Sequence, residues 1–159
     1  MQRFIPDTPT FVTQLECGYT GDALPADTVH GLSAAGKPIL VRYDLEAIAD
    51  AVSKEDLAGR PDGMWRYREF LPVRKTENIV TLEETETPLV SLPAMQARLG
   101  ATSITMKDEG RLPTGSFKAR GIAMAVSMAK EFGLKRLAMP TNGNAGSALA
   151  AYATRAGME

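Results

Sequence analysis

The sequence predicts an α/β fold in which parallel strands are joined by crossover helices. The first observation is an alternation of elements in the second half. The β-branched run Thr102–Lys107 reads as a strand, Ser116–Phe132 as a helix, Arg136–Met139 as a second strand and Ala145–Ala156 as a second helix. The second is punctuation: Gly100, Gly133 and Gly157 each follow a helical pattern at the position a left-handed cap requires. The third is that both long loops, 107–121 and 140–147, follow a strand and open a helix, where open α/β sheets bind their ligands.

The remaining elements are justified in chain order. Phe11-Val12-Thr13 reads as a short strand, and turn-rich sequence runs from Gly18 to Gly36. Lys37–Tyr43 reads as a second strand, with Pro38 placing it at an edge or a strand start. Asp44 is the expected N-cap of a helix over 45–52, whose Leu45, Ile48, Ala49 and Val52 recur at helical spacing. Arg60-Pro61-Asp62-Gly63 is a turn, and it divides the chain into an N-terminal extension, 1–60, and a second unit, 61–159. Trp65, Tyr67, Phe70 and Leu71 are expected to form a packed aromatic cluster. Ser91–Gly100 reads as a short helix. On the long helix, Phe117, Ile122, Ala125, Val126, Ala129 and Phe132 are expected to share the buried face. Two strands are few for a parallel sheet, which is ordinarily covered on both faces, so an incomplete α/β enzyme domain is expected.

Composition excludes several function classes. Eighteen basic residues stand against nineteen acidic ones in 159, a net charge of -1, so the basic stripe of a nucleic-acid binder is missing. No apolar run reaches the ~20 residues that span a bilayer, and Met1–Asp7 lacks the apolar centre of a secretory leader, so no membrane partner and a cytoplasmic setting are expected. The single Cys17 rules out an internal disulfide framework. With His30 as the only histidine, too few nitrogen and sulfur ligands remain for a tetrahedral metal site.

Chemistry concentrates in the two loops. Gly110 and Gly115 have P-loop spacing, but Ser116 stands where that loop needs lysine. Lys118 falls in the first turn of a helix, where the positive end of the helix dipole opposes a charged amine, and Arg120 nearby acts in the same direction. A neutral lysine amine can attack a carbonyl and form a Schiff base; the alternative is a solvated surface lysine. Pro140–Ser147 offers two Asn amides, small residues and a helix N-terminus to an oxygen-rich group; the alternative is a plain helix cap by Asn144.

Pro113-Thr114-Gly115-Ser116-Phe117-Lys118-Ala119-Arg120-Gly121, followed by Gly143-Asn144-Ala145, resembles the signature of fold-type II pyridoxal-phosphate enzymes. Within that group the chain resembles the threonine synthases. Gly63–Tyr67, Leu71-Pro72, Glu86–Leu89, Lys107–Gly110 and Pro38–Leu45 carry the likeness, which covers most of 15–159. The resemblance implies a tryptophan synthase β-like fold, here incomplete, with pyridoxal 5'-phosphate as cofactor. It implies Lys118 as the Schiff-base lysine and proton shuttle, and Asn144 as a hydrogen-bond partner of the cofactor's phenolic oxygen. Ser116, Thr141 and Lys107 are implied contacts of the substrate's carboxylate or phosphate. The implied reaction converts O-phosphohomoserine and water into threonine and phosphate, with a missing C-terminal half or a homo-oligomer as partner.

Departures from the family pattern are specific. Ala119 replaces a frequent Asp, Arg111 a frequent Asn, and Thr141-Asn142 a frequent Ser-Ser. Many relatives carry two Cys-x-x-Cys pairs near the N-terminus. Here those positions read Cys17, Thr20, Leu32 and Ala35, which implies a degenerate, metal-free zinc ribbon. Two other readings stand beside the first: another fold-type II enzyme, such as a serine or threonine ammonia-lyase, and a non-catalytic fragment.

Overall fold

A computed structural model describes residues 7–159. The start of the chain, where the absence of a leader is expected, lies outside the described residues except for Asp7. Strands β1 (Val12–Cys17), β2 (Ala23–Leu24) and β3 (Ile39–Tyr43) form an antiparallel sheet in the order β2-β1-β3. Pro38 thus precedes an edge strand, as its missing N–H requires. The register shifts between Val12 and Gln14, where β1 pairs with β3. Helix α1 (Leu45–Ala51) starts at the expected cap, with Asp44 accepting from the Ala47 N–H. Helix α2 (Lys54–Ala58) was not expected; Ser53 and Asp56 form a reciprocal capping box that starts it.

The second unit begins with a 3-10 segment, Met64–Phe70. The expected aromatic cluster is corrected here. Trp65 is buried with Val73 and Ile79, but Tyr67 and Phe70 are exposed, because this short, kinked segment presents only part of its circumference to one core. Strands β4 (Leu89–Ser91) and β5 (Thr105–Lys107) pair antiparallel around α3 (Pro93–Leu99), which Gly100 ends at φ 62°. Helices α4 (Lys118–Glu131) and α5 (Asn144–Ala156) pack on each other.

The core lies between α4 and α5 and is built from small residues. Ala119, Ala123 and Val126 face Ala148 and Tyr152, with Val80 and Leu112 closing the cluster. The buried face of α4 matches the expected one in part: Val126 and Ala129 are buried and Ile122 packs on the cluster, but Ala125 is exposed and Phe117 is 59% exposed, whereas Ala119 and Ala123 are fully buried. Close helix approach selects alanine there, and the bulky side chains are displaced to the flanks. Buried Ser127 satisfies itself by donating to the Ala123 carbonyl and accepting from the Val80 N–H at 2.9 Å.

The β1–β2, β1–β3 and β4–β5 ladders all run antiparallel, which departs from the expected parallel pairing. Residues 136–139, expected as a strand, lie in no assigned strand. Glu159 nevertheless donates to the Lys135 carbonyl at 2.9 Å and accepts from the Leu137 N–H at 2.8 Å. Those two bonds have the slanted pattern of one parallel rung. No helix among the described residues is long and apolar enough to cross a membrane.

Two glycines separate conformational from steric demand. Gly115, at φ 71°, has open space where a Cβ would point, whereas at Gly63, φ 104°, a Cβ would strike the Glu84 backbone carbonyl. Gly115→Ala should lower stability by about 1 kcal/mol through backbone strain alone. Gly63→Ala should cost about 3 kcal/mol or more, because a clash is added to the strain. Urea unfolding of the two variants measures the difference.

Candidate functional site

Loop 108–117 is built by two 3-10 turns, Glu109–Arg111 and Pro113–Gly115. Thr114 and Gly115 occupy consecutive left-handed conformations, at φ 64° and 71°. The chain reverses there and enters α4 within three residues. Ser116 is buried, and its Oγ accepts from the Lys118 N–H at 3.2 Å, so the hydroxyl caps the first turn. Lys118 is then the first residue of α4, exposed, with Nζ 4.5 Å from the centre of the Phe117 ring.

Helix α5 is started by a side chain outside it. Thr141 Oγ1 accepts from the Gly143 N–H at 3.0 Å and the Gly146 N–H at 2.8 Å. Both acceptor lone pairs of that hydroxyl are committed to backbone, which leaves its O–H as a donor. Gly146 makes the approach possible, since a Cβ there would lie 2.6 Å from Thr141 Cγ2. Asn144 is exposed at the first position of α5.

Lys118, Met139, Pro140 and residues 141–145 together line one open cleft of ≈ 600 Å³. Of the five residues singled out in the sequence, the cleft brings together Lys118, Thr141 and Asn144. Ser116 lies beneath it as a cap. Lys107 is on β5 and donates from Nζ to the Thr87 carbonyl at 3.3 Å.

Beside the cleft is a polar network that sequence reasoning did not find. Arg120 donates to Glu109 through Nε at 2.7 Å and Nη2 at 2.9 Å, and the Thr87 hydroxyl donates to the same carboxylate at 2.5 Å. Arg120 was expected to act on Lys118; its guanidinium is instead committed to Glu109. The Arg120 guanidinium, aided by Thr87, holds the Glu109 carboxyl at about 2 against an ordinary 4.5. Farther in, the Tyr152 hydroxyl donates to Glu84, which also accepts from the Thr81 hydroxyl and the Leu82 N–H. Burial, and then the bond to Glu84, push the Tyr152 phenol well above its usual range.

The profile of the pyridoxal-phosphate dependent enzymes matches residues 80–159, half of the chain. The chain belongs to that family. Its stretch of family sequence starts at the segment under α4 and contains both helices and both cleft loops. Among curated relatives, it is 39% identical to the threonine synthase of Methanocaldococcus jannaschii over 90% of this chain and 35% of that protein. It is 47% identical to the threonine synthase of a Synechocystis species over 58% of this chain and 24% of that protein. It is 33% identical to the threonine synthase of Methanosarcina acetivorans over 91% and 34%. The chain thus spans about a third or less of the length of these relatives.

Two predictions arise from this geometry. Thr141→Val removes the external cap and should destabilise α5 by about 1 kcal/mol, with amide exchange at Gly143 and Gly146 speeding up first; Thr141→Ser should retain most of the protection. Because Glu109 titrates lower folded than unfolded, its contribution is complete above about pH 4.5 and is lost as pH falls toward about 2. Thermal unfolding between those limits should show this loss, and Glu109→Gln should flatten that part of the profile.

Proposed function

We propose that this chain is the cofactor-lysine portion of a threonine synthase-like enzyme, acting on O-phosphohomoserine and water to give threonine and phosphate. The observation that carries this reading is one cleft shared by the Lys118 amine, the Asn144 amide and the Thr141 hydroxyl. The donor set suits the family's cofactor: a primary amine for an aldehyde and an exposed amide for a phenolic oxygen. When bound, pyridoxal phosphate supplies an electron sink for negative charge developing on an amino-acid carbon.

The chain's own residues then have distinct tasks. Lys118 is the Schiff-base lysine, and its Nζ holds the cofactor and later carries a proton. Asn144 orients the ring by hydrogen bonding. Thr141 uses its remaining O–H to donate to a substrate carboxylate or phosphate, its acceptor sites being occupied by backbone. Ser116 offers a hydroxyl at the same helix end, and Lys107 a cation from β5.

Residues 61–159 are read as part of the catalytic domain and 1–60 as its extension. The extension is read as a degenerate ribbon in which Thr20, Leu32 and Ala35 stand at three of the four cysteine positions. Cys17 Sγ sits 3.1 Å from Ser33 Oγ, and the Ser33 and Thr20 hydrogen bonds draw the thiol down to about 7. Ser33, rather than its exposed neighbour Leu32, faces the cysteine. The setting is read as cytoplasmic, and the partner as a complementing C-terminal half or a second copy.

The test is addition of pyridoxal phosphate to the 159-residue chain, borohydride reduction and peptide mapping. The expected result is an adduct on Lys118 that Lys118→Ala abolishes. Labelling spread evenly over the other lysines would overturn the assignment.

A further inference from the structure

We propose that the Glu109–Arg120 pair is a positioning clasp that fixes where the Lys118 amine stands, an inference that rests on the reading of Lys118 given above. The pair closes the base of the segment carrying that lysine. Between its two members lie both 3-10 turns, the left-handed Thr114-Gly115 step, the capping Ser116 and Lys118 itself. The lysine is exposed, and the ring contact with Phe117 involves a side chain that is itself 59% exposed. Its placement therefore depends on the backbone that presents it.

The clasp is suited to hold that backbone. Two parallel N–H to carboxylate bonds fix distance and relative orientation together, which a single contact cannot do. The Thr87 hydroxyl anchors the same carboxylate from the segment before β4, and Lys107 secures that segment by its bond to the Thr87 carbonyl. Glu109 and Arg120 side chains are only 26% and 28% exposed, so solvent screens them less than an ordinary surface pair. Arg120 also interacts electrostatically with Glu84 and Tyr152, the latter on α5. One guanidinium thus relates the turn before Lys118 to both helices whose first residues line the cleft. Neither member of the pair lines the cleft, so each acts through Lys118 and its loop.

The test measures the ratio of borohydride-trapped pyridoxal-phosphate adduct on Lys118 to that on exposed Lys54, in the 159-residue chain and well below each variant's unfolding temperature. Wild type should favour Lys118, and Glu109→Gln should lower the ratio about fivefold, the scale of one well-formed ion pair. Arg120→Lys keeps the charge without the two-point geometry and should fall between them. Ser127→Ala, a destabilising change away from the loop, should keep the wild-type ratio. An unchanged ratio in folded Glu109→Gln, or an equal fall in Ser127→Ala, would overturn the clasp and leave the Lys118 assignment standing. A wild-type chain that prefers neither lysine would overturn both. Unfolding of both Glu109→Gln and Arg120→Lys would assign the pair to stability alone and overturn its positioning role.

Discussion

The close packing of α4 on α5 through alanine is the contact from which the other arrangements follow. Ala119, Ala123 and Ala148 are fully buried and bring the helices together along their first turns. The tight approach has a polar consequence, because the large side chain in the seam is Tyr152 and its hydroxyl needs a partner where water is excluded. Glu84 provides it, and is itself held by Thr81 and the Leu82 N–H. That draws segment 80–84 beneath the helices and brings the Glu84 carbonyl against Gly63, where only glycine fits. A single interhelical seam thereby fixes the position of a loop and of the turn at Gly63 earlier in sequence.

The same seam explains the chain's course between the helices. Lys118 and Asn144 stand at the first residues of α4 and α5 and line one cleft, so the two helix starts lie at the same end. The connection must then run back along α4. That helix of fourteen residues is about 21 Å long, a span that an extended segment of some seven residues covers. Residues 134–140, which lie in no helix or strand, make this return, with the Glu159 bonds at Lys135 and Leu137 as their parallel contact. The strand expected over Arg136–Met139 is not formed, and the Glu159 bonds are the only ladder-like contact that segment makes among the described residues. Pairing is settled by what lies alongside.

Legibility follows the range of the interaction. Asp44, Gly100, Gly133 and Gly157 act within one turn of themselves, and each could be placed from sequence. The capping box Ser53–Asp56 was equally local and lay within reach of the same rules. The face of α4 was legible only in part: Ile122, Val126 and Ala129 lie on it as expected, but its rotation is set by α5, so a count of bulky apolar residues favours Phe117 while close packing favours Ala119 and Ala123. In the site, Lys118 and Asn144 were legible through a family motif, and their shared cleft is what the fold adds. Glu109 and Arg120 stand eleven positions apart with no helical or strand periodicity linking them, so no local pattern marks them as a pair. Thr141 shows a third case, a residue singled out for ligand binding whose hydroxyl also starts a helix.

These roles are compatible because donors and acceptors are divided between fold and cleft. Thr141 gives its lone pairs to α5 and retains a hydrogen to donate; Ser116 does the same for α4 with one lone pair. The polar atoms nearest the cleft are thus oriented by backbone they also stabilise, at little additional entropy cost. Enclosure is not what orients Lys118, since the residue and the Thr141–Asn144 loop facing it are exposed. In a closed site, packing and desolvation would restrict a lysine; in an open one, restriction has to come from the backbone beneath it. A left-handed turn, a buried serine cap and a two-point ion pair at the base of one loop are three such restrictions, and all three act on the same residue.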